Sequence, residues 1–156
     1  MNKKLTTILA AVLITTIAFG QKVQEIDIPA AVIAAFKTKF PGIAKTTWEI
    51  ENVSEYEVGF KLNGEKTSAN FDNTGKWLET ETEIKTSALP ASVQAALSKD
   101  FQGYKVEEAS KIESAKDGNI FEAEIEKGEE EFDVLFTADG NLLSKTKEEE
   151  EKGEKD

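Results

Sequence analysis

The residues of this chain best equipped for chemistry are carboxylates. Glu122, Glu124 and Glu126 alternate with Phe121, Ala123 and Ile125, and Glu129, Glu131 and Asp133 follow just beyond the Lys127-Gly128 turn. On adjacent strands such alternation puts the acids on one side and the apolar residues on the other. Hard oxygen ligands suit calcium, and the same charges suit a basic partner. The plainer reading is an exposed sheet face. Opposed like charges weaken a sheet, but salt screens them and strand twist spreads them. A calcium site also calls for backbone carbonyls from a tight loop, and no Asp-x-Asp-x-Asp-Gly loop occurs. Asp72-Asn73-Thr74-Gly75 has half of that pattern but lacks the later glutamate, and reads as a hairpin turn. No metal ligands and no cofactor are assigned.

Other chemistry is denied by residue type. The chain holds no histidine and no cysteine, so the commonest general base, the thiol nucleophile and the usual zinc ligands are missing. Gly64, Gly75, Gly128 and Gly140 stand singly in hairpin turns, and no glycine-rich phosphate-binding loop occurs. No carboxylate stands in an apolar stretch that would raise its pKa, as acid catalysis requires. The chain therefore reads as a non-enzyme. Two tryptophans are candidate partner anchors. Trp48 shares its parity with Ile50 and belongs in the core. Trp77 stands beside Leu78, only one of the two can face inward, and Trp77 is the surface candidate.

The elements that carry these residues form an internal repeat of about sixty residues. Ile28-Pro29-Ala30-Ala31-Val32 matches Leu89-Pro90-Ala91-Ser92-Val93, and Phe40-Pro41-Gly42 matches Phe101-Gln102-Gly103. Apolar residues recur every fourth position at Ile28, Val32, Phe36 and Phe40, then at Leu89, Val93, Leu97 and Phe101, which predicts two helices of about three turns. Proline suits the first turn and glycine the stop. The period then drops to two. Trp48 and Ile50, then Tyr56, Val58, Phe60 and Leu62, then Thr67, Ala69 and Phe71 predict strands in the first copy. Phe121, Ala123 and Ile125, then Phe132, Val134 and Phe136 do so in the second. The fold class predicted is α+β, with one antiparallel sheet of about eight strands and both helices on one face.

At the N-terminus, Lys3 and Lys4 precede an uncharged apolar run from Leu5 to Phe19 that ends in Ala18-Phe19-Gly20. That is the layout of a secretory signal, and the run is shorter than the roughly 20 residues that span a bilayer. The predicted organisation is a signal peptide over 1–20, a first repeat over 21–86, a second over 87–147 and a disordered acidic tail over 148–156. Cleavage leaves no membrane anchor. It also leaves 17 lysines against 30 acidic residues, a net charge of −13, which disfavours nucleic acid and anionic membrane surfaces.

The Leu/Ile-Pro-Ala-x-Val helix, the Phe-Pro-Gly stop and the strand–Asp-x-x-Gly–strand hairpin resemble the PepSY-like domains of exported bacterial proteins, whose fold is called β-lactamase-inhibitor-protein-like. The resemblance runs from Asp27 to about Lys147 and implies tandem copies, a periplasmic or secreted location and a role in binding proteins or peptides. It supplies no catalytic residues. The open sheet face reads Glu55, Glu57, Gly59, Lys61, Ser68 and Asn70, a departure from the aromatic-lined surface expected of a β-lactamase inhibitor. The sequence thus predicts an exported binding module for a protein or peptide, basic in character, docking on the sheet face or edge. Trp77, Glu122, Glu124, Glu126, Glu131 and Asp133 are the candidate contacts. Binding of a divalent cation or small ligand by the acidic ladder is the alternative.

Overall fold

The change of period from four to two is realised as two α-helices and nine strands in a computed structural model that describes residues 21–147. The segments read as signal and tail lie outside the described residues. The chain runs β1 (Gln21–Val23), α1 (Ala30–Lys39), β2 (Thr47–Asn52), β3 (Glu55–Leu62), β4 (Glu65–Asp72) and β5 (Trp77–Glu83). It continues through α2 (Ala91–Asp100), β6 (Lys105–Ser114), β7 (Gly118–Lys127), β8 (Glu130–Thr137) and β9 (Leu142–Lys147). Every strand pairs antiparallel with its sequence neighbour, so the sheet order is simply β1 to β9.

Each helix lays its four-residue stripe on the sheet. Ile28, Val32 and Phe36 are buried with Trp48, Val58, Phe60, Ala69 and Phe71. Leu89, Val93 and Leu97 are buried with Ala109, Ala123, Ile125, Val134 and Phe136. Burying one such side chain stabilises by about 1.5–3 kcal/mol. Pro29 and Pro90 sit immediately before the helices, where their carbonyls accept the first helical N–H groups. Gly42 and Gly103 follow the helix ends at φ +85° and +84°, a conformation that costs glycine little.

The tip of each β-hairpin that completes a copy leans on the first turn of its helix. A Cβ on Gly75 would lie 2.6 Å from the Ala31 carbonyl oxygen, and one on Gly140 would lie 2.5 Å from that of Ser92. Both glycines also hold positive φ. Only glycine satisfies both demands.

One strand that the sequence did not announce is β1. Three residues reading Gln-Lys-Val are too few to show a period. Gln21 and Lys22 pair with Ile50 and Glu49 of β2, just as Thr82 and Glu83 pair with Lys111 and Ser110 of β6. β1 is thus the stub of a strand that the first repeat supplies in full to the second. That equivalence also explains how the units join: β5 closes one and receives β6 of the next.

Candidate binding face

The helices cover one side of the sheet, and the alternation of each strand leaves the other side to its polar residues. Lateral register decides what meets there. In the first copy Glu49 pairs with Glu57, Glu57 with Asn70 and Asn70 with Glu79, a row across β2 to β5. Glu81 stands one place further along the same face. In the second copy Glu124 lies between Glu108 and Asp133. Glu126 has Lys105 on one side and Glu131 on the other, whereas Glu122 stands between Ser110 and Leu135. Glu129 lies in the turn before β8 rather than on the ladder. The ladder therefore exists, but its members are interleaved with other residue types. Among the described residues no three acidic groups converge as a metal ion would require.

Three acids of the first copy are perturbed upward. Burial pushes the Glu57 carboxyl up to about 7, with the negative charges of Glu51, Glu49 and Glu81 adding to the effect. Glu79 is raised by burial and then by Glu81, Glu55 and Asp117. Glu51 is raised by burial, while its hydrogen bond with Glu57 works the other way. A shared proton between Glu57 and Glu51 fits a raised Glu57 beside a Glu51 that the contact lowers. This corrects the expectation that no carboxylate has a raised pKa. The chain neighbours of Glu57, Tyr56 and Val58, turn to the helix side, and the pairing of β3 with β2 and β4, with Glu81 one strand further, sets its surroundings. The pair can hold or release one proton near neutral pH.

Two further features of this face were not legible in the sequence. Ile112 and Ile120 pair across β6 and β7 on the helix-free side and are buried there, 6% and 8% exposed, outside both helix-covered cores. They belong to a β6–β7 hairpin that runs about four residues longer than β2–β3. An open depression of about 1020 Å³ crosses the junction of the two copies. Lys61, Lys66, Ser68, Glu81, Glu83 and Glu108 are among its lining, with Lys66 and Glu83 paired at 3.0 Å.

Trp77, expected at the surface, is half-buried on the helix side. It pairs with Phe71 across a bulge and packs against the first core. Its indole N–H donates to the Thr80 hydroxyl at 2.9 Å, and the Lys39 ammonium lies 3.8 Å from the ring centroid. The bulge breaks the alternation on which the choice between Trp77 and Leu78 rested. Trp48 is buried as expected, 4% exposed. The structure thus places Trp77 on one side of the sheet and Glu122, Glu124, Glu126, Glu131 and Asp133 on the other.

Fold and face together define a class: tandem helix-plus-sheet repeats whose helices leave one long, acidic sheet face open. The family model described as "Putative beta-lactamase-inhibitor-like, PepSY-like" matches residues 16–62 and 54–144, and the chain belongs to this PepSY-like family. Solved structures share the fold. A protein from Bacteroides eggerthii titled as one of the "putative periplasmic proteins" is 22% identical, with a TM-score of 0.71 over 77% of this chain and 88% of that one. A DUF2874 family protein from Bacteroides uniformis is 24% identical, with a TM-score of 0.70 over 76% and 88%. A BLIP-like protein from Bacteroides fragilis is 25% identical, with a TM-score of 0.66 over 76% and 86%. No curated protein matches significantly.

Proposed function

We propose that this protein is an exported, non-catalytic binding module that engages a basic protein or peptide through its helix-free sheet side. The observation that carries the reading is the open face itself, with carboxylates on strands from β2 to β8 and both helices on the other side. Membership of a β-lactamase-inhibitor-like family supports binding over catalysis, and the description of one relative as periplasmic supports export. A signal peptide over 1–20 fits that location. Trp77 serves the first core in this reading, and Glu122, Glu124, Glu126, Glu131 and Asp133 attract the partner.

Calorimetric titration of the chain from Gln21 with a lysine-rich peptide and with a glutamate-rich peptide of equal length tests the proposal. The lysine peptide is expected to bind at low salt and to weaken at least tenfold at 0.2 M salt, as charge-steered association does. Equal binding of the two peptides, or none of either, overturns it.

A further inference from the structure

The two copies differ most at their outer edges, and the difference points to where a partner strand docks. In the first copy, β5 is covered by β6 from Glu79 to Glu83. The pairing extends at both ends: Ala115 N–H donates to the Leu78 carbonyl, and Ile84 N–H donates to the Ala109 carbonyl. Backbone groups of a strand point the same way at every second residue. Thr80 and Thr82 therefore turn their N–H and C=O groups toward β6, as do the Leu78 carbonyl and the Ile84 N–H.

β9 is the same strand in the second copy. Asn70 pairs with Glu79 as Leu135 pairs with Ser144, so Leu143, Lys145 and Lys147 correspond to Leu78, Thr80 and Thr82. Among the described residues nothing pairs with the outer edge of β9. Its apolar residues show the lack of cover. Leu142 and Leu143 are 49% and 48% exposed, whereas Trp77 and Leu78 are half-buried. An uncovered edge of this length is a template for a further strand.

We infer that the outer edge of β9 receives an extended segment of the basic partner as an added antiparallel strand. The inference rests on the proposed function and locates its contact. The chemistry of the segment follows from the two sides of β9. Ser144 and Thr146 lie on the acidic side, beside Leu135 and Asp133 of β8, with Glu131 further along that strand. Lysines or arginines of the segment point there. Leu142, Lys145 and Lys147 lie on the helix side, where Lys145 sits 3.5 Å from the Phe132 ring centroid. Apolar residues of the segment point there and cover Leu142. A second copy of this chain fits poorly, because each carries a charge of −13 once residues 1–20 are removed.

The test uses an end-blocked eight-residue peptide of alternating lysine and valine, with amide hydrogen exchange of the chain from Gln21 as the readout. Slowed exchange at Lys145 and Lys147 is expected on adding peptide, because those N–H groups face outward. Lys145→Pro removes one outward N–H while leaving the pairing with β8, and should weaken the peptide at least tenfold. Lys145→Ala keeps the N–H and should bind equally or better. If the peptide binds with no protection at these amides and Lys145→Pro binds as the parent does, the strand inference fails while the proposed face stands. If protection at these amides comes without peptide and rises with protein concentration, the edge belongs to a second copy and the inference also fails. If neither this peptide nor the lysine-rich one binds, the function proposed above has failed with it.

Discussion

The first and second repeats share a backbone plan but fill it differently. Phe36, Trp48 and Phe60 of the first core correspond by register to Leu97, Ala109 and Ile125 of the second. The first core is an aromatic cluster: the Phe36 ring lies 5.5 Å from Trp48 and 5.3 Å from Phe60, and Phe40 lies 4.7 Å from Phe60. The second moves its rings outward, with Tyr104 and Phe132 at 6.0 Å and Phe101 against Phe136 at 6.2 Å. Volume lost at Ala109 is recovered by bulk elsewhere, where Phe132 stands in place of Thr67 and Val134 in place of Ala69. A core position thus accepts residues of different size and shape where its neighbours fill the space.

The most severe way to break this comparison is to truncate the helix stripes. Phe36→Ala should destabilise by about 4 kcal/mol and Leu97→Ala by about 3 kcal/mol, since the phenyl ring touches more of its core. Thermal or urea melts check this. Loss from Leu97→Ala clearly exceeding that from Phe36→Ala would mean that the second helix, not the aromatic one, anchors the sheet.

Gly75→Ala and Gly140→Ala probe a feature on which the two copies agree. Each adds a Cβ against a helix carbonyl at positive φ, so each should destabilise by about 1–3 kcal/mol. Similar losses are expected. A neutral result at either site would show that its hairpin tip can lift off the helix.

A smaller effect concerns the open face of the first copy. Glu57 and Glu122 are equivalent by register, since Tyr56 corresponds to Phe121 and Val58 to Ala123. Burial raises Glu57 from 4.5 to about 7, so the folded chain holds its proton more tightly than the unfolded chain. Between those two values the folded state binds more protons, and stability falls as pH rises, levelling off above about 7. Glu57→Gln should raise the melting temperature at pH 8 and flatten the profile between pH 5 and 8. An unchanged profile would mean that Glu57 is solvated like any surface acid.

The mildest change is expected from replacing Glu122, Glu124 and Glu126 together with glutamine. Relief of like-charge repulsion should leave stability equal or slightly higher, and the parent should show no rise in melting temperature with calcium. The triple variant should bind a lysine-rich peptide more weakly and with less salt dependence. A calcium-dependent rise that the variant abolishes would transfer the ladder to ion binding.

Local patterns were sufficient for much of this. The four-residue stripes at Ile28–Phe40 and Leu89–Phe101, the period-two strands and the glycine turns each depend on residues a few places apart, so the sequence by itself determined the helices, the strands, the duplication and the burial of Trp48. Strand pairing is non-local, and only the tertiary structure decided it. Glu57 meets Glu49, Asn70 and, one strand further, Glu79 because three hairpins fix their registers, and that meeting buries it. The bulge at Trp77 moved a residue to the helix side against its sequence parity. β1 was too short to carry a period, and the open edge of β9 became visible only once β5, its counterpart, was seen covered. Faces are written in the alternation of a single strand; neighbours across a sheet are set by the cooperative packing of all of them.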